Sequence, residues 1–495
     1  MFRRSIAVIG AGASGLVAAR ELRREGHDVV VFERGGTVGG TWVYTPAIES
    51  DLLGLDPNRK VIHSSLYNSL RTNLPRECMG FFDYPFVPVN EINDHDPRRF
   101  PGHGEVLRYL ESFSRDNDLY LLIRFGTEVV SVEMEKERGW AVRSLKIGAG
   151  RDRVKNEVYD GVVVCSGHYT EPRVADIPGI EIWPGKQMHS HNYRIPQPFL
   201  GQVCIVSNWD CMLARHSGFL HLFIHFVIVV IGSSASAADI SREIAGFARE
   251  VHGASRSSCP GAPMKQPGYD NLWLHSMLFS GDVSLVRFGW DAPTAVGLLT
   301  VPKDALIEKG KNTLAQSGAM DDKQKKRKGP PETRRSEKHV TGIPKTKFRD
   351  VLAWAGSLVA TAFRIATMLI FLSQVVPFPL CELQSKWVAG VLSGRIALPT
   401  PEKMLEDVDA LYSEMEQARW PHIGHFEYDD WLASQCGHPL VEEWRKQMYK
   451  AASKNKVVRP DNYRDEWDDD DLVSAAHEDF KKILTYQDVC GMDGQ

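Results

Sequence analysis

The chain has no CxxC pair among its eight cysteines and no cluster of His, Cys and acidic residues at metal-ligand spacing. This excludes a thiol–disulfide redox centre and a zinc site, and scattered free thiols suit a reducing, cytoplasmic compartment. It has little net charge, −4 over 495 residues, so neither nucleic acid nor an acidic surface is an expected partner. No secretory leader is expected either. Met1-Phe2-Arg3-Arg4 makes a positive start, but glycines interrupt the apolar stretch that follows, which reads as strand, turn and helix. Long apolar runs are scarce, and one stands out at residues 351–373. Its length suits a bilayer, yet Arg364 near its centre would cost about 2.5–3.5 kcal/mol to insert. A buried helix is expected there, with a membrane span as the alternative.

What is present is the composition of a globular protein, 43% hydrophobic and 25% charged, long enough for two or three domains. Ser5-Ile6-Ala7-Val8-Ile9 has the β-branched, apolar character of a strand. Gly10-Ala11-Gly12-Ala13-Ser14-Gly15 follows at once and matches GxGxxG. A helix is expected over 16–24, a break at Gly26-His27, and a second strand over Asp28-Val29-Val30-Val31-Phe32, closed by Glu33. Each position has a physical reason. Gly10 permits the tight turn, Gly12 lets a pyrophosphate approach the backbone, and Gly15 lets the helix pack on the strand. Free N–H groups at the helix start face the phosphates. Glu33 is spaced to accept a ribose 2′-OH and would repel a 2′-phosphate, which points to FAD or NAD.

A second strand–loop–helix unit begins at Val227-Ile228-Val229-Val230-Ile231. Gly232-Ser233-Ser234-Ala235-Ser236-Ala237 follows it, with small residues at the later glycine positions. The next strand position, 251–257, ends in Arg256 and serines rather than in an acid. A guanidinium pairs well with phosphate, so this loop favours NADP(H). The alternative for Arg256 is a solvated surface residue.

Several segments together resemble the flavin-containing monooxygenase family. Glu33-Arg34 followed by Gly39-Gly40-Thr41-Trp42 resembles its FAD fingerprint. The run from Trp183 through Gly185 and His189 to Tyr193 resembles its FxGxxxHxxx(Y/F) identifier, with Trp for Phe. Residues 67–86 resemble the stretch beside the flavin, and 162–172 the join between the nucleotide domains. Segments at 377–399, 426–439 and 463–471 resemble the plant S-oxygenating, glucosinolate S-oxygenase-like branch.

The resemblance implies an α/β fold of two Rossmann-like domains. The FAD domain would be discontinuous, 1–172 and 375–482, with an NADPH domain at 173–374 inserted in it. Gly10, Ala11, Gly12, Ala13, Ser14, Gly15, Glu33, Arg34, Gly40, Thr41, Trp42 and Asn73 would bind FAD. Gly232, Ser233, Ser234, Ser236 and Arg256 would bind NADPH. In the family NADPH reduces FAD, O2 adds to form a C4a-hydroperoxyflavin, and a soft nucleophile, thioether sulfur or amine nitrogen, takes the distal oxygen. Asn73 is the candidate hydrogen-bond donor to that peroxide, its alternative being a turn cap. His189 is expected to be architectural, without proton transfer.

Two segments depart from the family. Residues 203–226 are inserted before the second loop, without caps, charge pattern or turn signals, and have the look of a retained intron or a gene-model error. Val203-Cys204-Ile205-Val206 competes with Val227-Ile228-Val229-Val230-Ile231 for the strand position. Between Leu278 and Ser373 the C/A-T-G-Y motif that ends the strand after the family's hairpin is missing, and the charged, proline-containing stretch 321–339 reads as a disordered loop, with a basic patch for nucleic acid as the alternative. Loss of a sheet strand and of the channel lining would leave a nucleotide-binding but catalytically impaired homologue. That is one rival reading; a Baeyer–Villiger or N-hydroxylating relative is the other. A disulfide reductase is excluded by its missing cysteine pair.

Overall fold

The structure, a computed structural model, describes residues 2–88, 95–135, 139–148, 154–167, 170–172, 174, 186–200, 203–207, 212–216, 227–231, 235–255, 264–276, 278–279, 286–287, 365–367, 376–400, 402–403, 406 and 425–492. The chain forms two compact units. The first comprises Met1–Glu49, Lys60–Glu171 and Thr346–Gln495, and the second Ser50–Arg59 and Pro172–Lys345.

In the first unit, β1 (Ser5–Ile9), α1 (Ala13–Arg24) and β2 (Asp28–Phe32) form the expected strand–helix–strand. After α2 (His103–Asp116) come β3 (Ile123–Arg124), the meander β4 (Thr127–Glu135), β5 (Gly139–Lys146) and β6 (Val154–Tyr159), and then β7 (Gly161–Val164). β1 pairs in parallel with β2 on one side and β7 on the other. Alternate residues of these strands serve two faces. Ile6, Val8, Val31 and Val163 join the helix-side core with Leu16 and Val17 of α1, while Ala7, Phe32 and Val162 pack with Trp140 and Tyr159 of the meander. Burial on both faces explains why the strands read as continuous apolar runs.

The second unit contains β8 (Lys186–His189), β9 (Val203–Ser207), β10 (Met212–His216), β11 (Val227–Ile231), α3 (Ala235–Ala245), β12 (Glu250–Ser255), β13 (Met264–Lys265) and β14 (Leu272–Ser276). Strand order is β10-β8-β9-β11-β12-β14-β13. The pair β11 and β12 is parallel across α3, as expected for a nucleotide-binding unit. The competition between the two apolar runs has no loser: β9 lies beside β11 in parallel, and β10 runs antiparallel to β9. The described parts of the inserted segment 203–226 are therefore sheet strands.

A short hairpin, β15 (Leu278–Phe279) with β16 (Val286–Arg287), follows. β17 (Ile365–Thr367) then joins the first sheet in parallel with β7, giving the order β17-β7-β1-β2-β3. This corrects two expectations. A strand does complete the first sheet beside β7, and the apolar run 351–373 contains that strand, so it is not a continuous membrane helix. A three-residue strand inside a long apolar run has no periodicity to reveal it. Its Ala366-Thr367 stands where A-T-G-Y would begin, but Met368 and Leu369 follow instead of Gly and Tyr. No helix among the described residues is long and apolar enough to cross a membrane. The disordered-loop expectation for 321–339 lies outside the described residues.

The unit boundaries follow from these contacts. β17 draws its neighbourhood into the first unit, whereas Leu52 accepts the backbone N–H of His189 and the Asn192 side chain in the second. The first unit is completed by α4 (Pro377–Ser393), α5 (His425–Cys436), α6 (Glu443–Val458) and α7 (Asp470–Met492). A buried ionic cluster bolts α1 to α4. Arg20 pairs with Glu21, Asp83 and Glu382, and Lys386 pairs with Glu21 and Glu382.

Candidate nucleotide site

The glycine loop sits between the end of β1 and the start of α1. A side chain at Gly15 would place its Cβ 1.9 Å from the Gly10 carbonyl oxygen, so only glycine lets the helix close onto the turn. Gly12 is the N-cap of α1 and offers no side-chain cap. The first backward bond runs from the Leu16 N–H to the Gly12 carbonyl at 3.0 Å. The N–H groups of Ala13, Ser14 and Gly15 have no backbone acceptor among the described residues. With the helix dipole, such free N–H groups could hold a pyrophosphate.

The fingerprint segment is tied to this loop directly. The Gly39 N–H donates to the Ala11 carbonyl at 3.0 Å. Gly40, at φ +55°, approaches Gly12 so closely that a Cβ on it would lie 2.9 Å from the Gly12 Cα. The two glycine segments thus leave backbone, not side chains, along the path of a dinucleotide. Glu33 holds the loop from the other side. Its Oε2 accepts the Ala11 N–H at 2.7 Å and its Oε1 the Gly35 N–H at 2.5 Å. Each carboxylate oxygen keeps a second lone pair for a ribose hydroxyl. These residues fit the adenosine diphosphate half of FAD.

The other predicted residues of the first site fall as follows. Arg34 and Thr41 are exposed, and the Thr41 carbonyl accepts the Ser64 hydroxyl at 2.8 Å. Trp42 is half-buried, its ring edge-on to Phe378 at 6.3 Å. The Ser14 hydroxyl lies 3.0 Å from the Cys381 thiol of α4. Burial pushes that thiol up to about 12, so it stays protonated. Asn73 is exposed on the loop before the turn at Arg76–Met79.

Two residues near the site escaped the sequence reading. Cys381 is one. His63 is the other: its Nδ1 is 2.9 Å from the Thr170 hydroxyl, and burial together with the Arg34 charge holds it below its ordinary value. Neither carries a local motif, and both reach the loop only through the fold.

In the second site, Gly232, Ser233, Ser234 and Arg256 lie outside the described residues, and Ser236 is exposed in the first turn of α3. His189 Nδ1 accepts the His191 N–H at 3.1 Å, and the Tyr193 hydroxyl donates to Glu243 of α3 at 2.7 Å. Both contacts are internal braces. No metal-binding group of three or more His, Cys, Asp or Glu occurs among the described residues.

Comparison with known proteins gives the family. A family described as "Flavin-binding monooxygenase-like" matches residues 3–215. The flavin-containing monooxygenase FMO GS-OX-like 4 of Arabidopsis thaliana is 46% identical over 493 residues, covering 96% of each chain. The solved S-allyl-L-cysteine S-oxygenase of Allium sativum superposes with a TM-score of 0.74 at 44% identity, over 97% of this chain and 99% of that one. Tmm from a Pelagibacter species, at 20% identity and a TM-score of 0.62 over 93% of each chain, shares the fold.

Proposed function

Since the chain belongs to the flavin-containing monooxygenase family, in its plant S-oxygenating branch, and is a flavin-dependent monooxygenase of a class that uses FAD and NADPH, we propose that it oxygenates the sulfur of a small thioether. The net reaction joins thioether, O2, NADPH and a proton to give sulfoxide, NADP+ and water. Bound FAD, reduced by NADPH, supplies the activation of oxygen.

The chain's own residues bind and orient. The N–H groups of Ala13, Ser14 and Gly15 hold the pyrophosphate, and Glu33 takes the ribose. Gly40 and Trp42 carry the chain past the cofactor, and Asn73 offers its amide as a hydrogen-bond donor at the reacting edge. Gly232, Ser233, Ser234 and Arg256 take NADPH, Arg256 through its 2′-phosphate. No protein nucleophile is required. The reading assigns the enzyme to a reducing, cytoplasmic compartment.

The close approach of the Gly12 and Gly40 backbones is the observation that supports this proposal, because it leaves backbone rather than side chains where a dinucleotide would pass. Sulfur is favoured over nitrogen by the likeness to an S-allyl-L-cysteine S-oxygenase over nearly the full length of both chains. The test is NADPH oxidation by the purified holoenzyme with and without S-allyl-L-cysteine or a methylthioalkyl glucosinolate, with product analysis. One sulfoxide per NADPH is expected. A yellow protein that consumes NADPH but releases only hydrogen peroxide would overturn it in favour of an impaired homologue. N-hydroxylated or lactone products would assign it to a relative of different chemistry.

A further inference from the structure

We infer that Arg464 and Asp465, near the C-terminus of the chain, are positioning residues for Asn73. The inference rests on the role proposed above for the Asn73 amide. Its evidence is the pattern of anchors around that residue.

Arg71 is held by four bonds, one of them from a terminal nitrogen to the Arg464 carbonyl at 3.4 Å. Its Nε donates to the Phe100 carbonyl at 2.9 Å, and its two terminal nitrogens grip the Asp465 carboxylate at 2.9 and 2.8 Å. Such a two-pronged pair fixes direction as well as distance. Thr72 is bonded at every polar group: its N–H to the Pro101 carbonyl at 2.8 Å, its hydroxyl to the Leu74 carbonyl at 2.8 Å, and its carbonyl to Arg464 Nε at 2.9 Å. Leu74 is buried in the core that also holds Ala11. Asn73, between them, is exposed, and its side chain makes no hydrogen bond among the described residues.

The Arg464 bond matters most. The Thr72 carbonyl and the Asn73 N–H belong to one planar peptide unit, so a donor locked onto that oxygen sets the plane from which Asn73 starts. Arg464 is itself steadied over the Tyr463 ring, 4.6 Å from its centre, and Tyr463 is buried edge-on against Phe100. The Asp465 N–H is tied back to the Asn462 carbonyl at 2.8 Å. The anchors converge on both neighbours of Asn73 and leave its amide open. This is how a donor is held ready for a ligand rather than consumed by the fold. A segment serving only to tie down the chain end would gain nothing from sparing that amide.

The consequence is control of coupling: loosening Arg464 lets the Asn73 amide wander and lets oxygen leave as peroxide. The experiment uses FAD-loaded full-length enzyme and four variants: Arg464→Met, which keeps the aliphatic stem over Tyr463, Arg464→Lys, Asn73→Ala, and the double variant Asn73→Ala with Arg464→Met. Two readouts are taken, the visible circular dichroism of bound FAD and the share of NADPH electrons ending as hydrogen peroxide. R464M is expected to raise that share about two- to tenfold, the factor carried by one hydrogen bond, at unchanged FAD content. R464K should recover most of the loss. The double variant should be no worse than N73A, since both act through one group.

Additive effects in the double variant, or a lower melting temperature with neither readout moved, would overturn the assignment. If R464M does not fold, Asp465→Asn, which weakens the grip on Arg71 from the exposed side, runs through the same cycle against N73A. If the wild type forms no sulfoxide, the oxygenase reading fails, and the dichroism cycle alone decides the clamp. A shared, non-additive shift upholds it and separate shifts refute it.

Discussion

Replacing Gly40 by alanine tests the proposed flavin seat where the two glycine segments meet. Two penalties act together. Gly40 sits at φ +55°, where an L-residue costs about 1–2 kcal/mol. Its new Cβ would lie 2.9 Å from the Gly12 Cα, well inside a relaxed carbon–carbon contact of about 3.5–4.0 Å. Overpacking against backbone adds about 1–3 kcal/mol. The turn relieves both by backing away from Gly12, which widens the seat and removes its fit to the dinucleotide. A net loss of about 2 kcal/mol in FAD binding corresponds to roughly thirtyfold weaker affinity. The measurement is fluorescence titration of apoprotein with FAD, supported by the thermal shift that excess FAD produces. Gly36→Ala is the control, because nothing lies within 4 Å of its Cβ. If G40A binds FAD within about threefold of the control, the close approach of the two glycine segments is not what shapes the site.

Arg20→Met should destabilise the first unit by about 3–5 kcal/mol, because it strands the fully buried Glu382 with Lys386 as its remaining cation; denaturant melts of the apoprotein check this, and a loss under about 1 kcal/mol would show that the cluster is not what joins α1 to α4. Asp429 of α5 gives a pH signature. Burial, then the neighbouring Asp430 charge, push its carboxyl up to about 7. The folded chain therefore holds a proton that the unfolded chain has released, and stability falls as pH rises from about 4 towards 7. Asp429→Asn should flatten that slope and be the more stable form at pH 8; parallel melting curves for the two proteins across this range would refute the assignment.

Much of the first site is legible in the residues because its demands are local. Gly15 must clear Gly10, Glu33 must end the second strand, and both requirements show as residue identities at fixed spacing. Gly39 and Gly40 were legible for the same reason, though only the resemblance assigned them to FAD. Other features depended on partners far along the chain. Cys381 meets Ser14, Arg464 meets Thr72 and Glu382 meets Arg20, and none of these pairs leaves a local pattern. The short strands β9, β10 and β17 were obscured for another reason. Strands of three to five residues are too short to show a period of their own, so residues 365–367 look like part of a longer apolar element. Asn73 looks like any turn asparagine until the bonds on either side of it are seen.

The pairing of β7 with β17 has a consequence for how the molecule tolerates its unusual insertions. The second unit is spliced into the connection between Val164 and Ile365, so the first sheet closes only after that chain has been made. Closing entropy grows with the logarithm of the connection's length. Extending such a connection by the segment 203–226 therefore adds only about 0.1 kcal/mol. During synthesis β1, α1 and β2 emerge early and wait for their last neighbour, and an exposed β7 edge is open to wrong pairings in the interval. For the first sheet, the inserted residues are a matter of timing far more than of equilibrium.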